Sequence, residues 1–294
     1  MRTADLLSYL FAVVASFGNA LANVMQRKAA LRQAHIARFG VRVVAALVRD
    51  PVWLLGFLGM VLSFVFQAVA LSLGQLSAVE PIITLEVPLT LLVASRVFDR
   101  RLTADEWLAI ALMTGGMIVL LAALDPRPGN DAGVSGVTYA MAGGGTVLTI
   151  ALLLAASRSY SANVRTAYLG VAAGTTFGLT ATLIKETVDE LSAHGVVGML
   201  TTWQTYAAVA TGIFGVLVMQ SALHSGPLLA AQPGFTLMDP LVSILWGVLV
   251  YDETTRSGGW LVLASTGGLA IALGVFALAR SPLFAPDRRA EASL

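Results

Sequence analysis

Apolar residues run through this chain in blocks of about twenty, the length a helix needs to cross a bilayer's hydrocarbon core. Nine such blocks cover residues 5–26, 52–73, 77–97, 105–124, 137–156, 166–184, 198–219, 228–250 and 259–279. Between them lie short connectors; Pro51, the stretch from Asp125 to Gly136 and the Ser281 to Leu294 tail carry turn-forming composition. The first block holds Asn19, Asn23 and Gln26 and has no small-residue cleavage site, so it is expected to be retained. One segment fits either of two readings. Ala34 to Val48 has apolar residues at helical spacing around Arg38 and Arg42, which suits an interfacial amphipathic helix or a short tenth span. The pattern predicts an all-α polytopic membrane protein of nine transmembrane helices, ten if that segment crosses.

Composition narrows the class further. Of 294 residues, 57% are hydrophobic and 12% charged, with a mean hydropathy of +0.80, whereas about a quarter of a soluble protein is charged. Lys and Arg number 18 against 17 acids, so no net field draws nucleic acid. Without Cys there is no thiol nucleophile or Cys-ligated metal. The three His residues, His35, His194 and His224, are too scattered to suggest a metal cluster, and no cofactor is expected. The basic residues set the orientation. With the N-terminus outside, fourteen fall on inner segments and only Arg2, Arg127, Lys185 and Arg256 on outer ones. A crossing at Ala34 to Val48 would put the N-terminus inside.

Sliding the chain by 152 positions aligns the third and fourth blocks with the last two, without a gap. Pro81, Thr84, Pro88, Thr103, Thr114, Gly115 and Gly116 recur as Pro233, Thr236, Pro240, Thr255, Thr266, Gly267 and Gly268. Ser16-Phe17-Gly18 is echoed by Thr176-Phe177-Gly178. Four spans, one linking span and four more would turn the second copy upside down. The expected organisation is a first helical repeat at 1–124, a linking helix with connectors at 125–165, a second, inverted repeat at 166–280 and a cytoplasmic tail at 281–294. Inverted repeats are the architecture of alternating-access transporters.

The residues then resemble a known family. Val97-Phe98-Asp99-Arg100-Arg101-Leu102-Thr103 resembles the turn before the last helix of each half in the drug/metabolite transporter (EamA-like) superfamily, and Val250-Tyr251-Asp252-Glu253-Thr254-Thr255 resembles its second copy. Gln26-Arg27-Lys28 closing the first span, with the nine-span count, is most similar to the NIPA-type magnesium transporter branch. The resemblance implies transport and leaves the substrate open among metabolites, drugs, nucleotide sugars and cations.

Ionisable groups at membrane depth are functional candidates. Glu80 and Glu86 lie in the third span and Asp239 in the eighth; the shift brings Asp239 within one position of Glu86 and maps Glu80 onto Gln232. Pro81, Pro88, Pro233 and Pro240 each remove an amide donor and free a carbonyl beside these acids. Glu86 and Asp239 could ligate Mg²⁺, or exchange a proton for substrate, or simply hydrogen-bond a neighbouring helix. Asn19, Asn23 and Gln26 share one helix face, and Gln67 and Gln220 are weaker candidates. Gly170, Gly174 and Gly178 form a small-residue face for close packing, within the chain or between two copies. Gly143-Gly144-Gly145 lacks the Lys and Ser/Thr of a phosphate loop. Trp53, Trp107, Trp203 and Trp260 read as interfacial anchors, and Lys185 and Glu186 as solvated heads at a span end.

These features predict a secondary transporter, a multi-pass protein of the cell membrane. It would move a small polar solute, metabolite or drug, with Mg²⁺ as the alternative cargo. Expected partners are that substrate and membrane lipids, with a homodimer as a further option and no nucleic acid. A membrane enzyme or scaffold is the rival class; His35 and His224 are its only inner-side bases, and neither has an evident acid partner.

Overall fold

The computed structural model describes residues 3–32, 49–129, 135–226 and 228–279. The segment Ala34 to Val48 and the tail at 281–294 lie outside the described residues. Within them the structure is helical, with no strand and one isolated antiparallel bridge between Arg127 and Thr254.

Two compact units divide at Leu102 and Thr103. The first holds α1 (Thr3–Arg32), α2 (Pro51–Leu73), α3 (Leu76–Ile83) and α4 (Glu86–Val97). In the second are α5 (Ala104–Leu124), α6 (Gly136–Ser157), α7 (Ala162–Thr201), α8 (Trp203–Ser225), α9 (Leu228–Leu249) and α10 (Gly259–Ala279). Eight helical segments are long and apolar enough to cross a membrane: α1, α2, α3 with α4, α5, α6, α7, α8 and α10. The expected span at 228–250 forms the 22-residue α9, which carries Gln232, Pro233, Asp239 and Pro240 and is not among those eight.

Local chemistry fixes several ends. Asp50 caps α2 by accepting the Val52 amide at 2.8 Å, with Pro51 in the first turn. Thr103 and Glu106 form a reciprocal capping box at the start of α5. The turns before α5 and α10 each hold an aspartate in the left-handed region, Asp99 at φ 47° and Asp252 at φ 50°. Asp tolerates that conformation better than most residues. The two turns are thus structural echoes, although the register between these aspartates has slipped to 153.

In the first unit α1 lies chiefly against α2, with α4 and α3 beside it; in the second, α7 lies against both α9 and α8. The glycine face of α7 is a contact within the chain. A Cβ on Gly170 would come 2.4 Å from the Ala231 carbonyl oxygen, on Gly174 2.8 Å from that of Gly234, and on Gly178 2.9 Å from that of Asp239. Only bare backbone lets α7 and α9 approach so closely. Helix α5 sits with the second unit, paired with α10. Gly116 and Gly267 meet there, each Cβ position lying 2.7 Å from the other's carbonyl oxygen.

Two boundaries differ from the sequence expectation, for physical reasons. The third span is not one helix but two, broken between Ile83 and Glu86. The sixth runs on past residue 184 to a kink at Gly195, whose φ of 67° and ψ of −165° are not helical, and a short helical stretch follows to Thr201. Lys185–Asp189 and Glu190–His194 ion pairs at i, i+4 spacing support that extension, which apolarity alone does not register. The following helix therefore starts at Trp203 rather than 198.

On one side of the second unit the loop after α5 is clamped to the loop before α10. Arg127 and Thr254 exchange two backbone hydrogen bonds of 3.0 and 3.1 Å. Arg127 and Arg256 both reach an Asp125 oxygen, at 2.8 and 3.1 Å. The hydrogen bond from Arg127, aided by the charge of Arg256, holds the Asp125 carboxyl below the usual carboxylate range.

Candidate functional site

In the first unit the break between α3 and α4 organises the polar residues. Pro81 and Pro88 withdraw two amide donors, and the chain tightens instead. Leu85 donates to Ile82 at 3.0 Å and Val87 to Thr84 at 3.2 Å, three residues back rather than four. The Ser16 hydroxyl of α1 lies 3.0 Å from the same Ile82 carbonyl, which joins α1 to the break. Glu86 follows at once as the first residue of α4, where a helix N-terminus favours negative charge.

Both acids of this unit have amide partners. Gln67 of α2 donates from Nε2 to the Glu80 carboxylate at 2.9 Å, and Glu80 is only 2% exposed. Asn19 of α1 hydrogen-bonds Glu86, which is half-buried. Glu80 and Glu86 are close enough to feel each other's charge. The other two residues of the α1 polar face separate from this group. Gln26 lies half-buried against Gly56, where a Cβ would come 3.0 Å from its Cγ, and Asn23 is exposed. The structure thus gathers Asn19, Gln67, Glu80 and Glu86 in the first unit. Gln220 is exposed on α8.

In the second unit Gln232 and Asp239 belong to a longer stripe on α9. Gln232, Thr236, Asp239 and Ser243 follow at spacings of four, three and four, which places them on one helix face. Gln232, Thr236 and Ser243 are all buried, and Gln232 Oε1, Thr236 Oγ and Ser243 Oγ have no protein hydrogen-bond partner. That is unusual in this chain. Other helical hydroxyls, among them Thr166, Thr176, Thr182 and Ser221, donate to the carbonyl four residues back. Pro240 moreover brings no N–H to the Thr236 carbonyl. A buried oxygen without a partner costs about 1–3 kcal/mol, so a stripe of them fits a wet or ligand-facing surface better than a dry one. Neither Thr236 nor Ser243 was marked by charge; the four-three-four spacing from Gln232 is the sequence signal that would have found them.

Glu86 lies in the first unit and Asp239 in the second. Among the described residues no three His, Asp or Glu gather to hold a metal ion.

No family model matches the chain, and no solved structure does. An uncharacterized protein of Corynebacterium glutamicum is 26% identical to it over 262 residues, covering 87% of this chain and 88% of the relative. The similarity spans nearly all of both proteins. The apolar helices make this a multi-pass membrane protein.

Proposed function

We propose that the protein is a secondary transporter of the cell membrane, related to the drug/metabolite transporter superfamily, that moves a small polar solute by alternating access. In this reading α9 is the ninth membrane span, and the second copy is an inverted repeat of the first. The observation that carries it is a carboxylate at membrane depth on each of two proline-bearing segments related by 152 residues, Glu86 beside one break and Asp239 between two prolines. Acids at that depth are retained mainly on substrate or ion pathways, and broken or proline-bearing helices supply backbone acceptors beside them.

The α9 stripe narrows the cargo. Gln232 Oε1 and the Asp239 carboxylate accept hydrogen bonds, while the Thr236 and Ser243 hydroxyls can both donate and accept, without a cationic neighbour in the stripe. Such a line suits a solute that brings several N–H or O–H groups, and the Asp239 charge disfavours an anion. Three acids at membrane depth, Glu80, Glu86 and Asp239, are few for a dedicated cation path, which favours this solute over Mg²⁺. Proton exchange at Glu86 or Asp239 would couple the movement.

Flux into proteoliposomes tests the reading. Under an imposed pH gradient, the wild type should take up a candidate metabolite or drug, and Glu86→Gln and Asp239→Asn should each lower that uptake at least tenfold. Uptake unchanged in both variants would remove the carboxylates from the mechanism.

A further inference from the structure

The second unit holds a cavity of about 740 Å³ that the carboxylate sites do not use. It lies among α6, α7, α8 and the end of α9, and its volume is in the range of pockets that take drug-sized molecules, roughly 300–1,000 Å³. Three aromatic side chains from three helices line it. Tyr139 of α6 meets Trp246 of α9 edge-on at 5.3 Å and Trp203 of α8 at 6.2 Å between ring centres. Trp246 is fixed by its indole N–H, which donates to Thr146 at 3.1 Å, and is 3% exposed. On the α6 side the wall is Gly136, Gly143 and Gly144, whose missing side chains leave the space open.

The polar groups around this space have one sign. Glu186 is the only charged residue in the lining, and no Lys, Arg or His is among the lining residues. Lys185, its neighbour in sequence and outside the lining, pairs with Asp189 at 3.3 Å and lies over the Tyr251 ring at 5.7 Å, from where its charge also reaches Glu186. Tyr251 hydrogen-bonds Glu186 and so orients it. Burial first, and then the Glu186 charge, push the Tyr251 phenol upward, which keeps it a neutral donor. The Tyr139 hydroxyl, a lining group, is buried and has no partner.

We propose that this cavity is a binding site for an organic cation on an apolar or aromatic body, held by the Glu186 carboxylate and the faces of Tyr139, Trp203 and Trp246. Aromatic faces attract a cation within about 6 Å, the more so when it is desolvated, and a single carboxylate fixes the sign. An anion of the same shape gains neither. Because α6 is part of the wall and belongs to neither sequence copy, the site stands apart from the paired carboxylates and does not depend on the transport reading. Two sources could supply the cation: a free quaternary or protonated amine, or the choline headgroup of a lipid entering beside α6.

Calorimetric titration of the purified full chain in dodecylmaltoside, corrected for empty micelles, tests this with tetraphenylphosphonium and its anionic isostere tetraphenylborate. The phosphonium should bind at least tenfold more tightly than the borate, and Glu186→Gln should erase that preference while Glu186→Asp keeps it. A Cβ at Gly144, a lining residue, meets nothing within 4 Å, so Gly144→Leu should project into the cavity and abolish binding in a protein of unchanged melting temperature. This assay reads affinity and not flux, so unchanged uptake in Glu86→Gln and Asp239→Asn would sink the transport reading and leave the predicted phosphonium preference at Glu186 standing. Nanodiscs distinguish the sources. Weaker phosphonium binding in phosphatidylcholine than in neutral glycolipid discs assigns the site to the headgroup, and equal binding assigns it to the free cation. Equal affinity for phosphonium and borate, or binding unmoved by both Glu186→Gln and Gly144→Leu, would overturn the proposal.

Discussion

The segments 76–97 and 228–249 carry prolines at matched positions, yet one is two short helices and the other a single helix. Proline therefore does not decide the break by itself. What differs is the helix each lies against. Helix α7 presents Gly170, Gly174 and Gly178 at every fourth residue, and α9 lays its backbone from Ala231 to Asp239 against that face. Helix α1 instead offers Ser16, whose hydroxyl engages the Ile82 carbonyl at the point where the chain tightens. The polar groups divide in the same way. Around the broken copy, Glu80 and Glu86 have amide partners in Gln67 and Asn19, whereas along the continuous copy Gln232, Thr236 and Ser243 keep oxygens without one.

Three tests, with five substitutions between them, would break or sharpen that contrast. The largest effect is expected at the α7–α9 face: Gly174→Val drives a side chain into the Gly234 carbonyl and the Met238 Cβ, both 2.8 Å from the Cβ position. Overpacking of this kind should cost about 3 kcal/mol, read as a lower unfolding midpoint in mixed micelles. Gly115→Ala, where nothing lies within 4 Å, should leave the midpoint unchanged or raise it.

A middle-sized effect separates two glutamines. Gln67→Leu removes the partner of a buried carboxylate and should destabilise by about 2 kcal/mol in the same assay. Gln232→Leu removes an amide whose oxygen has no protein partner, so it should leave stability near the wild-type value and lower flux instead. Equal destabilisation by the two would erase the difference between the copies.

The smallest effect is at the clamp between the loops. Because its arginines depress the Asp125 carboxyl in the folded state, the contribution is present above the unfolded-state value and lost as pH falls through the lower, folded one. Asp125→Asn should cost about 0.5 kcal/mol or less at pH 7, and the difference from wild type should vanish in acid.

Much of this was legible in the residues because a bilayer imposes one dominant rule. Long apolar runs must become helices, and eight of the nine blocks read from hydropathy are helices long and apolar enough to cross, the exception being α9 with its Gln232, Asp239 and two prolines. Pro and Gly in register across 152 residues could not arise from apolar composition alone, and the aspartate turns at Asp99 and Asp252 lie one position off that register. What hydropathy does not carry is the choice of neighbour. That Gln67 would meet Glu80, that α5 would pair with α10 rather than stay with the first unit, and that the glycine face of α7 would receive α9 all depend on side chains distant in sequence. Glu186 reads as a solvated head and Trp203 as an anchor because each falls near an end of an apolar block, where exposure is the ordinary reading. Only their convergence with Tyr139 and Trp246 around one cavity gives them another role.

The proposed function turns on whether the second copy faces the opposite way across the bilayer. The chain has no cysteine, so a single introduced thiol reports its own side. Arg101 and Ser257 are exposed residues just before α5 and α10. With a membrane-impermeant maleimide on intact cells, Ser257→Cys should label at once, and Arg101→Cys only after the membrane is opened. Labelling of both from the same side would contradict an inverted copy, and with it an alternating-access mechanism built on two opposed halves.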